Sequence, residues 1–193
     1  MPKDTVLVFD TETTGMVDFK KDETYEGQPH LVQFAGILFN NKRPVKVISI
    51  ILNQGFESHE KAIAAHGITP ALAEEFGTEN LVSVLKWFEL SVHLAETVVA
   101  HNASFDKMVM LSEMYRKGMA FPKTLENKIY DTMLIGTELC KLKKSTFRKG
   151  YKWPSLQELH THLFGEGFED AHDALVDVQA TARCYFEMTK ENK

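Results

Sequence analysis

The chain has 193 residues, 44% of them hydrophobic and 25% charged, with a formal net charge of −5. That length holds one domain with a sizeable core, or one domain with small additions, and the composition is that of a soluble globular protein. The acidic average excludes a general nucleic-acid coat, and no apolar stretch is long enough to cross a membrane or act as a cleavable leader.

The run from Thr5 to Phe9 drives straight into Asp10-Thr11-Glu12, which predicts a buried strand ending in two carboxylates. Residues two apart on a strand share a face, so Asp10 and Glu12 project together and repel unless a cation lies between them. A polar loop follows over residues 17–29, ending in Pro29. Two β-branched and aromatic runs, 31–40 and 45–53, are separated by NNKRP and read as a hairpin, giving three adjacent strands with the first. Residues 58–95 change to helical spacing with Ser or Thr near each start and Pro70 in a first turn. A short buried strand at 98–100 leads into an amphipathic helix over 104–118. The segment 129–141 reads as a brief strand turning into a helix, and 155–165 and 174–192 are helical. Thirteen Phe imply a core rich in aromatics. Cys140 and Cys184 stand in no metal-ligand or redox spacing, so a reduced cytoplasmic compartment is the simple reading. Strands first, then strands alternating with helices, give one α/β domain spanning residues 1–193.

Three stretches concentrate chemistry: FDTETTG (9–15), AHNASFD (100–106) and AHDALVD (171–177), with AAHGIT (64–69) between the first two. In this order they resemble the DnaQ-like, or DEDDh, 3′–5′ exonucleases, and the resemblance covers nearly the whole chain. It implies a ribonuclease H-like fold: a central mixed five-stranded sheet flanked by helices. It also implies Asp10, Glu12, Asp106 and Asp177 as metal ligands and His172 as the general base.

The physical chemistry runs parallel. Four ionised carboxylates carry about −4 and cannot share a pocket bare. Two divalent cations, Mg²⁺ or Mn²⁺, match that charge and prefer oxygen ligands, while the absence of a nearby Cys argues against zinc. Paired cations stabilise both the attacking and the leaving oxygen of an in-line displacement at phosphorus. A histidine beside them takes a proton near neutral pH.

The resemblance further places Thr11, Thr13, Met16, His66, Asn102 and Phe105 at the substrate, with Met16 as an apolar wedge and Phe105 as an aromatic contact. The stretch 141–153 has six Lys or Arg, no acid, and Phe147, Tyr151 and Trp153 interleaved. Within an acidic chain it suits a phosphate backbone and stacked bases, through Lys143, Lys144, Arg148 and Lys149. His160 and His162 fit no zinc motif and read as surface residues. The function expected is release of nucleoside 5′-monophosphates from a single-stranded or frayed 3′ end, DNA favoured, of proofreading or repair type, with a DNA polymerase as possible partner and no membrane. An RNA-trimming enzyme and a non-catalytic subunit of a polymerase complex are the alternatives.

Overall fold

The computed structural model describes residues 4–144 and 149–190. β1 (Thr5–Thr13), β2 (Leu31–Asn40) and β3 (Arg43–Ile51) are followed by α1 (Glu60–His66), α2 (Pro70–Phe76) and α3 (Leu81–Leu94). Then come β4 (Thr97–Ala100), α4 (Ala103–Arg116), a 3₁₀ turn (Lys123–Asn127) and β5 (Ile129–Asp131). α5 (Thr132–Cys140), α6 (Leu156–Phe164) and α7 (Ala174–Met188) complete the chain.

The five strands form one sheet in the order β3-β2-β1-β4-β5. β1, β2 and β3 pair antiparallel, whereas β1–β4 and β4–β5 are parallel, so the sheet is mixed as expected. The hairpin turns on Asn41 and Lys42, both at positive φ, which matches the twist that a two-residue connection requires. β3 therefore starts two residues earlier than its apolar run suggests and takes in Pro44. A missing N–H is tolerated there because β3 is an edge strand with a register shift beside the proline.

Strand alternation sends the odd residues of β1 to one side and the even ones to the other. Leu7 and Phe9 join Phe34, Phe88, Val109 and Met110 under α3 and α4. Val6 and Val8 join Ala35, Val99, Ala174 and Val178 under α7. The rings of Phe9 and Phe88 lie 5.0 Å apart, and burying each such side chain contributes about 1.5–3 kcal/mol. β1 is thus clamped on both faces, and its last residues are carried rigidly to the sheet end.

Candidate active site

Asp10 and Glu12 continue the even face of β1 and so point toward α7, half-buried. α7 begins beside them because Asp173 is its N-cap, accepting from the N–H groups of Leu175 and Val176. Asp177 lies in its first turn. His172 precedes the cap with a left-handed backbone (φ 73°), and its N–H donates to Asp177 Oδ2 at 3.2 Å. Glu12, His172 and Asp177 each offer a ligand atom within 4.8 Å of the others.

Asp106 arrives from the opposite side of the sheet. Asn102, also left-handed (φ 68°), turns the chain from β4 into α4, and Asp106 sits in the first turn of that helix, 2% exposed. Its Oδ1 accepts from both the N–H and the hydroxyl of Thr11, at 3.0 and 2.7 Å. Helices on the two faces therefore deliver one carboxylate each to the end of β1.

Electrostatics record the crowding. Burial, followed by Asp106, Glu12, Asp177 and Asp173, holds the Asp10 carboxyl well above its ordinary value. Glu12 is pushed up to about 8, by burial first and then by Asp177, Asp106 and Asp173. Asp106 rises to about 7 through burial, against the two hydrogen bonds from Thr11. Burial also raises Asp177, opposed by the His172 N–H. Among the described residues Asp177 Oδ1 is buried without a hydrogen-bond partner. Four carboxyls raised chiefly by burial, one of them with an orphaned oxygen, fit a divalent cation.

Beside the carboxylates lies a cleft of about 790 Å³ lined by Glu12, Thr13, Met16, His59, Lys61, His66 and Phe105, among others. Met16 is 80% exposed at its rim. Phe105 divides its ring between the cleft and the core. His66 lines the cleft, yet both ring nitrogens are engaged within the chain. Ile68 N–H donates to Nδ1, so Nε2 carries the proton and donates to Thr13 O at 3.2 Å. Burial holds this imidazole below its ordinary pKa, consistent with the neutral ring.

Several expected placements are revised here. Thr11 is 5% exposed with its donors spent on Asp106, so it holds a carboxylate and does not line the cleft. His160 is 2% exposed, not a surface residue, because α6 packs on α7: its Nδ1–H donates to Glu166 O and Arg183 donates to Nε2. Asn102 does not line the cleft; its contribution is the turn into α4. Lys143, Lys144 and Lys149 are exposed on a loop closed by a Lys143–Tyr151 bridge and do not line the cleft either, while Arg148 and Phe147 lie outside the described residues. Sequence reasoning missed Asp131, whose carboxylate accepts from backbone N–H groups of both α4 and α5.

Carboxylates converging at the end of the first strand of this mixed sheet form an acidic cluster whose oxygens suit a divalent cation. The chain belongs to the exonuclease family RNase_T, whose model matches residues 7–185. The family is divalent-metal dependent. A DNA polymerase III subunit epsilon-like protein of Rhodobacter capsulatus is 30% identical over 192 residues, covering 97% of this chain. The chain spans about a quarter (24%) of that relative's length. The structure of exonuclease I superposes with a TM-score of 0.74 at 20% identity, over 98% of this chain and 42% of the other. A zinc-bound E. coli exonuclease I–single-stranded DNA complex gives 0.70 at 22% identity, over 94% and 39%. Among the described residues no helix is long and apolar enough to cross a membrane.

Proposed function

We propose that this chain is a 3′–5′ exonuclease that removes nucleoside 5′-monophosphates from single-stranded or frayed DNA ends. The observation that carries this reading is the convergence of Asp10, Glu12, Asp106 and Asp177 beside His172, with Glu12 shared between that cluster and the cleft rimmed by Met16. Those carboxylates would hold two Mg²⁺ or Mn²⁺ ions, which would supply charge compensation at the scissile phosphate.

The chain's own residues do the rest. His172 is exposed and within 4.8 Å of two carboxylates, where its ring takes the proton of the attacking water. Thr11 fixes Asp106, and His66 fixes the Thr13 carbonyl, so the cleft floor is set before substrate arrives. Met16 and Phe105 offer apolar and aromatic surface to the terminal base, and the basic loop offers Lys143, Lys144, Arg148 and Lys149 to the phosphate backbone. Contacts to backbone and last base suffice, because the reaction needs no sequence readout. The likeness to an epsilon-like polymerase subunit supports a proofreading or repair setting with a DNA polymerase as partner.

Incubation with a 5′-labelled DNA oligonucleotide, with its RNA counterpart, and with a 3′-blocked DNA tests the reading. A Mg²⁺-dependent ladder shortening from the free 3′ end of DNA is expected. Cleavage confined to RNA, or unimpeded by the 3′ block, overturns it.

A further inference from the structure

The geometry points to Asp131 as the positioning residue that sets Asp106 in place by holding the start of α4 onto the end of β5. Asp131 is 8% exposed, and its carboxylate accepts four backbone N–H groups. Oδ1 takes those of Met133 (2.9 Å), Leu134 (3.2 Å) and Asn102 (3.2 Å), and Oδ2 takes that of Ala103 (2.9 Å). The first two belong to α5, for which Asp131 is the N-cap. The other two belong to the start of α4, whose own N-cap, Asn102, makes no side-chain cap hydrogen bond. One side chain thus caps two helices.

This carries past ordinary capping because of what α4 bears. Asp106 is three residues beyond Ala103, in the same helical turn. From the far side it is held by Thr11 of β1. The carboxylate is therefore suspended between two tethers, one direct and one through the helix start. Pairing of β5 with β4 at Ala100↔Asp131 fixes where the second tether is anchored. Adjacent Thr132 reinforces it, its hydroxyl lying 3.0 Å from His101 Nδ1, while His101 Nε2 lies 3.2 Å from Pro154 O. Displacing a reacting constellation by about 1 Å costs on the order of 10²-fold in rate.

An amide at position 131 separates the two duties. Asn has one acceptor oxygen, and three donors meet at Oδ1 against one at Oδ2. The amide keeps its oxygen toward the three and turns its NH₂ on Ala103 N–H, so the loss falls on the helix that carries Asp106. A remote cap supplies the control: Asn80 accepts from Ser83 N at the start of α3, away from the carboxylates.

The inference rests on the exonuclease reading, and the test keeps the two apart by measuring Mn²⁺ binding by calorimetry beside kcat and KM on a DNA oligonucleotide. In Asp131→Asn, Mn²⁺ affinity and kcat are expected to fall about 10–100-fold with KM unchanged. Asn80→Ala is expected to lower the melting temperature with both at wild-type values. Lowered melting with wild-type Mn²⁺ affinity in Asp131→Asn reduces the residue to a cap and overturns the inference. Weakened Mn²⁺ binding in a chain whose wild type cleaves no oligonucleotide upholds the positioning role while the exonuclease reading fails. If Asp131→Asn does not fold, Asp131→Ser, which retains a capping oxygen for α5, takes its place with the same outcomes.

Discussion

Thr11 gives both its donors to one oxygen of Asp106: the N–H at 3.0 Å and the hydroxyl at 2.7 Å. The strand that carries two of the acids thereby grips a third arriving on a helix from across the sheet. Thr11→Val keeps the shape and the N–H but removes the hydroxyl, leaving a buried carboxylate short of a partner at a cost of about 1–3 kcal/mol. Turnover is expected to fall roughly tenfold with little change in KM, and Thr11→Ser to restore it. Wild-type turnover in Thr11→Val would sink the tether.

The raised carboxyls make the cation-free protein sensitive to base. Glu12 holds its proton up to about pH 8 in the folded chain, against an ordinary value of 4.5. The stabilisation relative to the unfolded chain is whole below 4.5 and is lost as pH climbs through 8. Asp106, raised to about 7, works in the same direction. The cation-free melting temperature is therefore expected to be lower at pH 9 than at pH 6. Saturating Mg²⁺ should restore it at pH 9, since the cation replaces the protons. Scanning calorimetry at both pH values decides it; equal melting temperatures without cation would count against the crowded carboxylates.

Asp10, Glu12, Asp106 and Asp177 were legible because the acids stand at fixed offsets from elements whose type the sequence declares. An apolar run ends at Asp10, and helices start just before Asp106 and Asp177. Alternation along β1 even predicts that Asp10 and Glu12 share a face. What escaped depends on neighbours far away in the chain. Asp131 looks like a strand-end acid until β5 is laid beside β4, which brings its carboxylate under α4. Thr11 looks free until α4 crosses the end of β1. His160 has polar neighbours in sequence, yet α7 covers it and Arg183 reaches it. Glu113 likewise reads as one more acid on an amphipathic helix. Buried, it accepts from Leu31 N–H and pairs with Arg116, which ties the loop at 28–29 to α4.

The basic loop is expected to govern affinity and leave the chemical step alone. None of Lys143, Lys144 and Lys149 lines the cleft, and a backbone neutralised on binding releases counterions. Replacing Lys143, Lys144, Arg148 and Lys149 by Ala should weaken binding to long single strands. It should also flatten the logarithmic salt slope by about 0.7 for each phosphate left without its cationic partner. Turnover at saturating substrate should hold. Fluorescence anisotropy across a salt series measures this, and an unchanged slope would return the stretch to an ordinary solvated loop.

His172 poses the sharpest question, because its ring lies within 4.8 Å of Glu12 and Asp177 and so stands where either a base or a ligand could stand. Base and ligand fail differently on removal. Loss of a base leaves the carboxylates with their cations and the cleft with its substrate, so His172→Ala should bind Mn²⁺ and DNA as wild type does. Its rate should fall about 10²–10⁴-fold. The backbone supports this outcome: the tie from position 172 to Asp177 runs through the main-chain N–H, which Ala retains. The left-handed φ of 73° is less comfortable for Ala, so His172→Asn, which tolerates that region, serves as the matched variant. Calorimetry separates the cases. Loss of Mn²⁺ binding in the two variants would make His172 a ligand, and an unaltered rate would remove it from the mechanism altogether.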